Sequence, residues 1–516
     1  MRHSLGACAL ACTLAACSND GAGITAATAV DSSTTVDSIA TTTTTTTADP
    51  STTTGTATSQ GEGDTGAPGG PWTQGFPIPP GDPVDGDPEA GYWALLNEGY
   101  VSCGIPFVMF ALAKPLLGGF ASEEPLPGRT GNNALVPYNW TVHVTDSGAE
   151  IASLNCLECH AGRFNGELVI GLGRADADYT QNFGDLLGGL VIPPLAIPGL
   201  EELTRFVQRY QVLGPAITMN TIGTNPADEI AVVLAAHRDR DTLAWSDEPH
   251  SEIPDLVAPV DTPPWWRVKK KHGLFYNGMA RGDHRGTMMF ASSLCTDTVE
   301  EAEQILSYFN NIRAYVASLE APTYPFAINP DLAAVGADVF AATCAGCHGS
   351  YAESDADEWY PNLIFGLDVI GTDPLVAEYS RDSPLIEWFN GSVYGAITQL
   401  VVDDPVVGYT APPLDGIWAT APFFHNGSVP TLELVLDSAA RPTRWKRIDY
   451  DSTNFDEAAL GWPWVEVPYS WQDAPADERK HVYDTTLQGH WNSGHEFGDA
   501  LSTAEREAVL EYLKTL

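Results

Sequence analysis

The chain is 516 residues long, enough for two or more domains with cores of their own. It carries 67 acidic residues against 25 basic ones, a formal net charge of −42, which argues against nucleic acid and anionic membrane surfaces as partners. A protein that exchanges electrons with so acidic a chain is expected to be basic or to dock locally; acidity that serves only solubility is the alternative.

Residues 1–17 read as an export signal. Arg2 and His3 precede a short apolar run, Leu5 to Ala16, too short for a permanent bilayer span. Leu14-Ala15-Ala16-Cys17 has the form of a bacterial lipobox, so Cys17 is the expected lipidation site; an ordinary secretory signal with an incidental cysteine is the alternative. No later stretch reaches about 18 uninterrupted apolar residues, so membrane contact is expected through lipid alone, at the outer membrane or in the periplasm. Residues 18–86 are rich in Thr, Ser and Gly, with an unbroken run from Thr41 to Thr47. Such a segment buries too little apolar surface to offset its ordering entropy and reads as a disordered tether.

Folded sequence begins near Asp87, with a first helix expected over Glu89–Tyr100 and a Pro- and Gly-rich loop from Pro125 to Tyr138. Ile151 to Leu157 leads into Cys156-Leu-Glu-Cys159-His160. C-x-x-C-H is the attachment signature of a c-type haem: two thiols add to the vinyl groups, and the histidine beneath the ring ligates iron. Arg163 can meet a haem propionate or stand on the surface. Leu186 to Pro198 is apolar and broken by prolines, as a pocket wall or as core, and Gly199–Leu213 reads as a helix. Pro263-Pro264-Trp265-Trp266 precedes the basic run Arg267 to Lys271, which can face propionates, an acidic partner or solvent. Cys103 and Cys295 belong to neither motif; an oxidising compartment permits them to pair, and the sequence leaves the pairing open.

Thr298-Val-Glu-Glu301 is a capping box opening a long helix to Leu319, with Ile305, Phe309, Ile312 and Val316 at helical spacing. Pro322 and Pro325 mark a boundary between an N-terminal haem domain over 87–325 and a C-terminal one over 326–516. A second motif, Cys344-Ala-Gly-Cys347-His348, follows a short helix carrying Val339 and Phe340, and Ser502-Thr-Ala-Glu505 caps the last helix. Zinc would want a further Cys or His pair near either motif, and neither has one. The device is duplicated: His160 to Leu319 spans 159 residues and His348 to Leu516 spans 168. At a constant offset of 149, Pro263-Pro264 and Phe275-Tyr276-Asn277-Gly278 match Pro412-Pro413 and Phe424-His425-Asn426-Gly427. The first half carries its insertion before this point, the second between roughly 440 and 490.

These residues resemble the bacterial di-haem cytochrome c peroxidase superfamily. Ala421-Pro-Phe-Phe-His425-Asn-Gly-Ser-Val-Pro-Thr-Leu432 is similar to a segment of its second domain. Gly494-His495-Glu-Phe-Gly498 and the C-terminal helix look like the branch containing the rubber oxygenases. The resemblance implies a mainly α fold, with two cytochrome c-like haem domains in tandem, long loops and a crevice between them. Two covalent haems c are expected, on Cys156, Cys159 and His160 and on Cys344, Cys347 and His348; a structural calcium ion is a further candidate. The resemblance makes His495 the first candidate for the sixth ligand of the second haem, and the repeat makes His425 the second. Tyr276, Trp265, Trp266 and Phe275 are the expected wall of an open first haem that meets peroxide or dioxygen. The expected activity is that of an exported di-haem oxidoreductase of peroxidase or dioxygenase type; an electron-transfer cytochrome without turnover is the alternative.

Overall fold

Two helix pairs repeat one crossing. Helix Pro88–Asn97 starts at Asp87, whose carboxylate accepts from the backbone N–H groups of Glu89 and Ala90 ahead of a proline in the first turn. Helix Pro330–Thr343 starts in the same way from Asn329. The first packs on helix Val299–Ser318 and the second on helix Thr503–Leu513. A glycine stands at each crossing. A Cβ on Gly91 would overlap the Asn311 carbonyl and come 2.8 Å from Tyr315 Cβ; one on Gly336 would overlap the Ala508 carbonyl and come 2.9 Å from Tyr512 Cβ. The backbones approach too closely for any side chain.

The computed structural model describes residues 70–516 except 82, 84, 115–122, 189–197 and 353–356. The export signal, Cys17, residues 18–69 of the expected tether and most of Leu186–Pro198 lie outside the described residues; within the expected tether, the strand Phe76–Pro77 pairs with Leu363 and Ile364 and Ile78 is buried, so folded sequence begins before Asp87. The caps follow the sequence with one difference. Ser502 and Glu505 close both halves of a capping box. Thr298 accepts from the Glu301 N–H at 3.1 Å, but the Glu301 carboxylate accepts from the Asp297 N–H instead.

The expectation of a mainly α fold is overturned. Helix accounts for 38% and strand for 14%, and the strands form five small sheets. The strands lie in stretches that helical periodicity does not reach. Trp140–Val144, rich in β-formers, pairs antiparallel with Glu150–Leu154, which pairs with Ile105–Pro106. Directly after the first motif Ala161–Phe164 turns back on Glu167–Ile170 through Asn165 and Gly166, both at positive φ, as a tight hairpin requires. The insertion between 440 and 490 folds as Arg444–Arg447 flanked by Trp464–Glu466 and Tyr483–Asp484. The described residues group as one unit by their contacts, and a tandem division is not shown within it.

Two large cores fill this unit. One holds Trp140, Phe206, Phe309 and Phe389, with the Cys103–Cys295 disulfide inside it, Cα atoms 5.7 Å apart and 192 residues apart in sequence. The other holds Phe340, Trp418, Val509 and Leu513, and into it the first half sends Phe164 and Trp266. Among the described residues no helix is long and apolar enough to cross a membrane.

Candidate functional site

The second motif continues its helix. Helix Pro330–Thr343 runs into the single turn Ala345–His348, which places Cys344, Cys347 and His348 on one cavity of about 190 Å³. A space more than ten times that of one water asks for a large occupant. Phe365, Phe423, Leu436 and Val509 give it an apolar wall; His495, His425, Tyr276, Asp261 and Arg267 are its polar groups. Both thiols are free, and burial raises their pKa, Cys347 to about 12.

His348 is held for ligation. Its Nδ1 lies 2.9 Å from the Pro412 carbonyl, which accepts the Nδ1–H hydrogen bond and so leaves the Nε2 lone pair free. Across the cavity stands His495, with ring centroids 6.1 Å apart. Two nitrogens each about 2 Å from a metal between them, plus the reach from nitrogen to ring centre, give a centroid separation of about 6 Å. His495 Nδ1 is buried without a partner among the described residues. Its presentation is built into the backbone. His495 has φ 46°, and Arg441 donates to the carbonyls of Asn492 at 2.8 Å, Gly494 at 2.7 Å and His495 at 3.2 Å. Burial pushes the His348 pKa down; burial first, then the charges of His348 and Arg441, pushes that of His495 down to about 3. Both rings are therefore neutral near pH 7, the form that ligates iron. The donor set and the cavity fit a haem bound covalently through Cys344 and Cys347.

His425 also borders the cavity, but its ring is stacked on Tyr409 at 4.2 Å, with Tyr276 edge-on at 6.3 Å. Its Nε2 is unpartnered among the described residues, and burial takes its pKa to about 3. The ring brought opposite His348 is that of His495.

The repeat recurs in three dimensions. Phe275 and Phe424 have φ of 67° and 69°, and Gly278 and Gly427 follow at 61° and 69°. Asn277 and Asn426 each accept from the N–H two residues on, at 3.2 Å. The motif histidines differ in this: His348 Nδ1 has the Pro412 carbonyl, whereas no hydrogen bond of normal geometry reaches His160 Nδ1, although the Pro263 carbonyl pulls its pKa up against the burial that takes it to about 4. Around the first motif Cys159 Sγ lies 3.2 Å from the Tyr179 hydroxyl, and the Cys156 N–H donates to Tyr100 at 3.3 Å.

The four aromatics expected to wall the first haem are not brought together. Trp265 stacks on the His160 ring itself, centroids 4.7 Å apart, so it packs against the motif histidine. Trp266 is in the second core and donates to the Asp415 carbonyl at 2.8 Å. Phe275 packs on the first core. Tyr276 lines the second cavity, donating to Asp261 at 2.7 Å. Arg163 pairs with Glu123 at 3.3 Å. The basic run turns inward: Lys269 meets Glu320, and Lys270 meets Asp415 and Glu358. Among the described residues there is no cluster of three or more His, Cys, Asp or Glu that could hold a metal ion, and a calcium site is not shown. Of the polar residues at the cavity, the sequence did not single out Arg441 or Asp261, and it marked Arg267 only as the start of a basic run that could face propionates, an acidic partner or solvent. The scarcity of basic residues was the available signal for the two arginines.

Two similar proteins of Sinorhizobium fredii (strain NBRC 101917 / NGR234) carry the names uncharacterized protein y4iJ and uncharacterized protein y4iM. The first is 29% identical, covering 44% of this chain and 47% of its own length; the second is 25% identical, covering 54% and 69%. The chain thus spans about half the length of the first. Residues 408–446 match a family described as RoxA-like, cytochrome c-like. That segment includes Pro412, Phe424, His425 and Arg441, which orient His348 and border its cavity or hold the His495 turn. From 408 to 446, then, the chain is similar to a RoxA-like cytochrome c domain, which implies haem c as its cofactor.

Proposed function

We propose that this chain is an exported di-haem c-type cytochrome with oxidoreductase activity of peroxidase or oxygenase type, reactive at the His160 site and electron-transferring at the His348 site. One observation carries the reading: His348 and His495 face each other 6.1 Å apart across a cavity bordered by Cys344 and Cys347. A haem held there supplies a one-electron couple. The chain's own residues do the rest. Pro412 orients His348, Arg441 fixes the His495 turn, and the apolar wall excludes water. Such a site is closed to small ligands.

Asymmetry supports assigning reactivity to the other motif. Among the described ring contacts His160 has Trp265 stacked on it, and no histidine ring faces it as His495 faces His348. A small oxidant, peroxide or dioxygen, would be met there, with electrons exchanged through a protein partner. Lipidation at Cys17 would tether the protein at the outer membrane or in the periplasm. The test is haem stoichiometry by pyridine haemochrome, then spectra with carbon monoxide and cyanide, then turnover with peroxide plus a reduced cytochrome and, separately, with polyisoprene latex. Two haems, of which one binds ligand, are expected. Two low-spin haems inert to every ligand would leave an electron-transfer cytochrome instead.

A further inference from the structure

Arg267 stands on the wall of the cavity that holds Cys344, Cys347 and His348, although it belongs to the first half of the chain. Its residue is 6% exposed. Its Nε donates to the Asp415 carbonyl at 3.0 Å, and its Nη2 is buried with no acceptor among the described residues. A guanidinium stays charged in a protein, and a buried charge with unused donors calls for an anion. Of the neighbouring carboxylates, Asp261 accepts from Tyr276 at 2.7 Å, and Asp415 is paired through Oδ1 with Lys270 at 2.5 Å; its Oδ2 has no hydrogen-bond partner among the described residues, so no hydrogen bond of normal geometry joins it to the guanidinium. The position is enforced from both sides. Pro264 leads into the turn Trp265–Lys270, and Trp266 donates to the same Asp415 carbonyl at 2.8 Å. At the matched place 149 residues on, the second half has Gly416, where a Cβ would come within 3.1 Å of the Trp266 indole. One half therefore supplies a cation, and it supplies it to the cavity of the other.

We propose that Arg267 is the positioning residue that binds the propionate carboxylates of the haem attached at Cys344 and Cys347. This rests on the haem reading of that motif. The planar fork matches a carboxylate with two parallel N–H···O bonds, and in an apolar cavity the two charges satisfy each other. A cation held beside the ring disfavours the more positive ferric state, so Arg267 raises the reduction potential of that site.

The test uses the full chain carrying Arg267→Gln, read by pyridine haemochrome, spectroelectrochemical titration and the propionate bending modes in resonance Raman. Expected are two haems, a retained low-spin signature, a lowered potential for the His348 haem and shifted propionate modes, with Arg267→Lys intermediate. Both haems present with wild-type potential and propionate modes would overturn the assignment. If Arg267→Gln does not mature, Arg267→Lys is read on the propionate modes, and unchanged modes overturn it equally. A wild-type chain with no haem on Cys344 and Cys347 would instead defeat the functional reading beneath it.

Discussion

His495→Ala removes an imidazole from opposite His348 and separates two effects that the structure sets at different sizes. The first is protonation. Burial and the charges of His348 and Arg441 take the His495 pKa to about 3 from an ordinary 6.5, so charging the ring in place costs on the order of 5 kcal/mol. Protonation of His495 is therefore not expected to disturb the wild-type low-spin spectrum as the pH falls from about 7 to about 4. The second is presentation. Three Arg441 hydrogen bonds fix the turn that carries the ring, so its effective concentration exceeds the millimolar range typical of flexible tethers. In His495→Ala the second haem is expected to turn high-spin and to bind carbon monoxide and cyanide. Added imidazole should restore the low-spin form only at millimolar concentrations or above. Optical and electron paramagnetic resonance titrations of the purified variant read all three. A His495→Ala protein that stays low-spin and refuses carbon monoxide would refute the face-to-face reading and move the test to His425→Ala.

Replacing Cys344 and Cys347 together by serine should halve the pyridine haemochrome yield and leave the His160 haem spectrum in place. Gly336→Ala and Gly91→Ala each force a Cβ into a helix carbonyl and should each destabilise by roughly 4 kcal/mol or more, as urea unfolding followed by circular dichroism will show; a neutral result would mean that the helices do not cross there. Burial raises the Asp261 pKa to about 7 against the pull of the Tyr276 hydrogen bond, so the folded state holds the proton more tightly than the unfolded one. That contribution is complete below about pH 4 and is lost as the pH rises through about 7. Asp261→Asn should therefore stabilise the protein at pH 8 by a few kcal/mol, on the order of 4 at most, and not at pH 4, in paired urea titrations. Cys17→Ala should move the protein from the membrane fraction to the soluble one; unchanged fractionation would end the lipobox reading.

What the sequence determined by itself was whatever is written in a few adjacent residues. Covalent haem attachment needs two thiols and an imidazole within one turn, so the spacing of Cys344, Cys347 and His348 raises that expectation, as does the spacing of Cys156, Cys159 and His160. The capped helices ending at Ser318 and Leu513 were legible because caps and helical periodicity are also local. The duplication was legible because Pro412 and Pro263 hold matched places with Phe424 and Phe275, and matched backbone conformations preserved those residues. The small sheets were not legible: strands of two to five residues carry little periodicity, and their partners are set by packing. The choice between His495 and His425 as the ring opposite His348 was made by tertiary structure, through a left-handed turn and the reach of Arg441 across more than fifty residues. So was the placing of Tyr276 and Arg267 on the cavity of the second motif, although both belong to the first half, because the two halves meet at Asp415 and side chains cross there. A repeat shows which positions are alike, whereas only the packed chain decides which cavity each side chain enters.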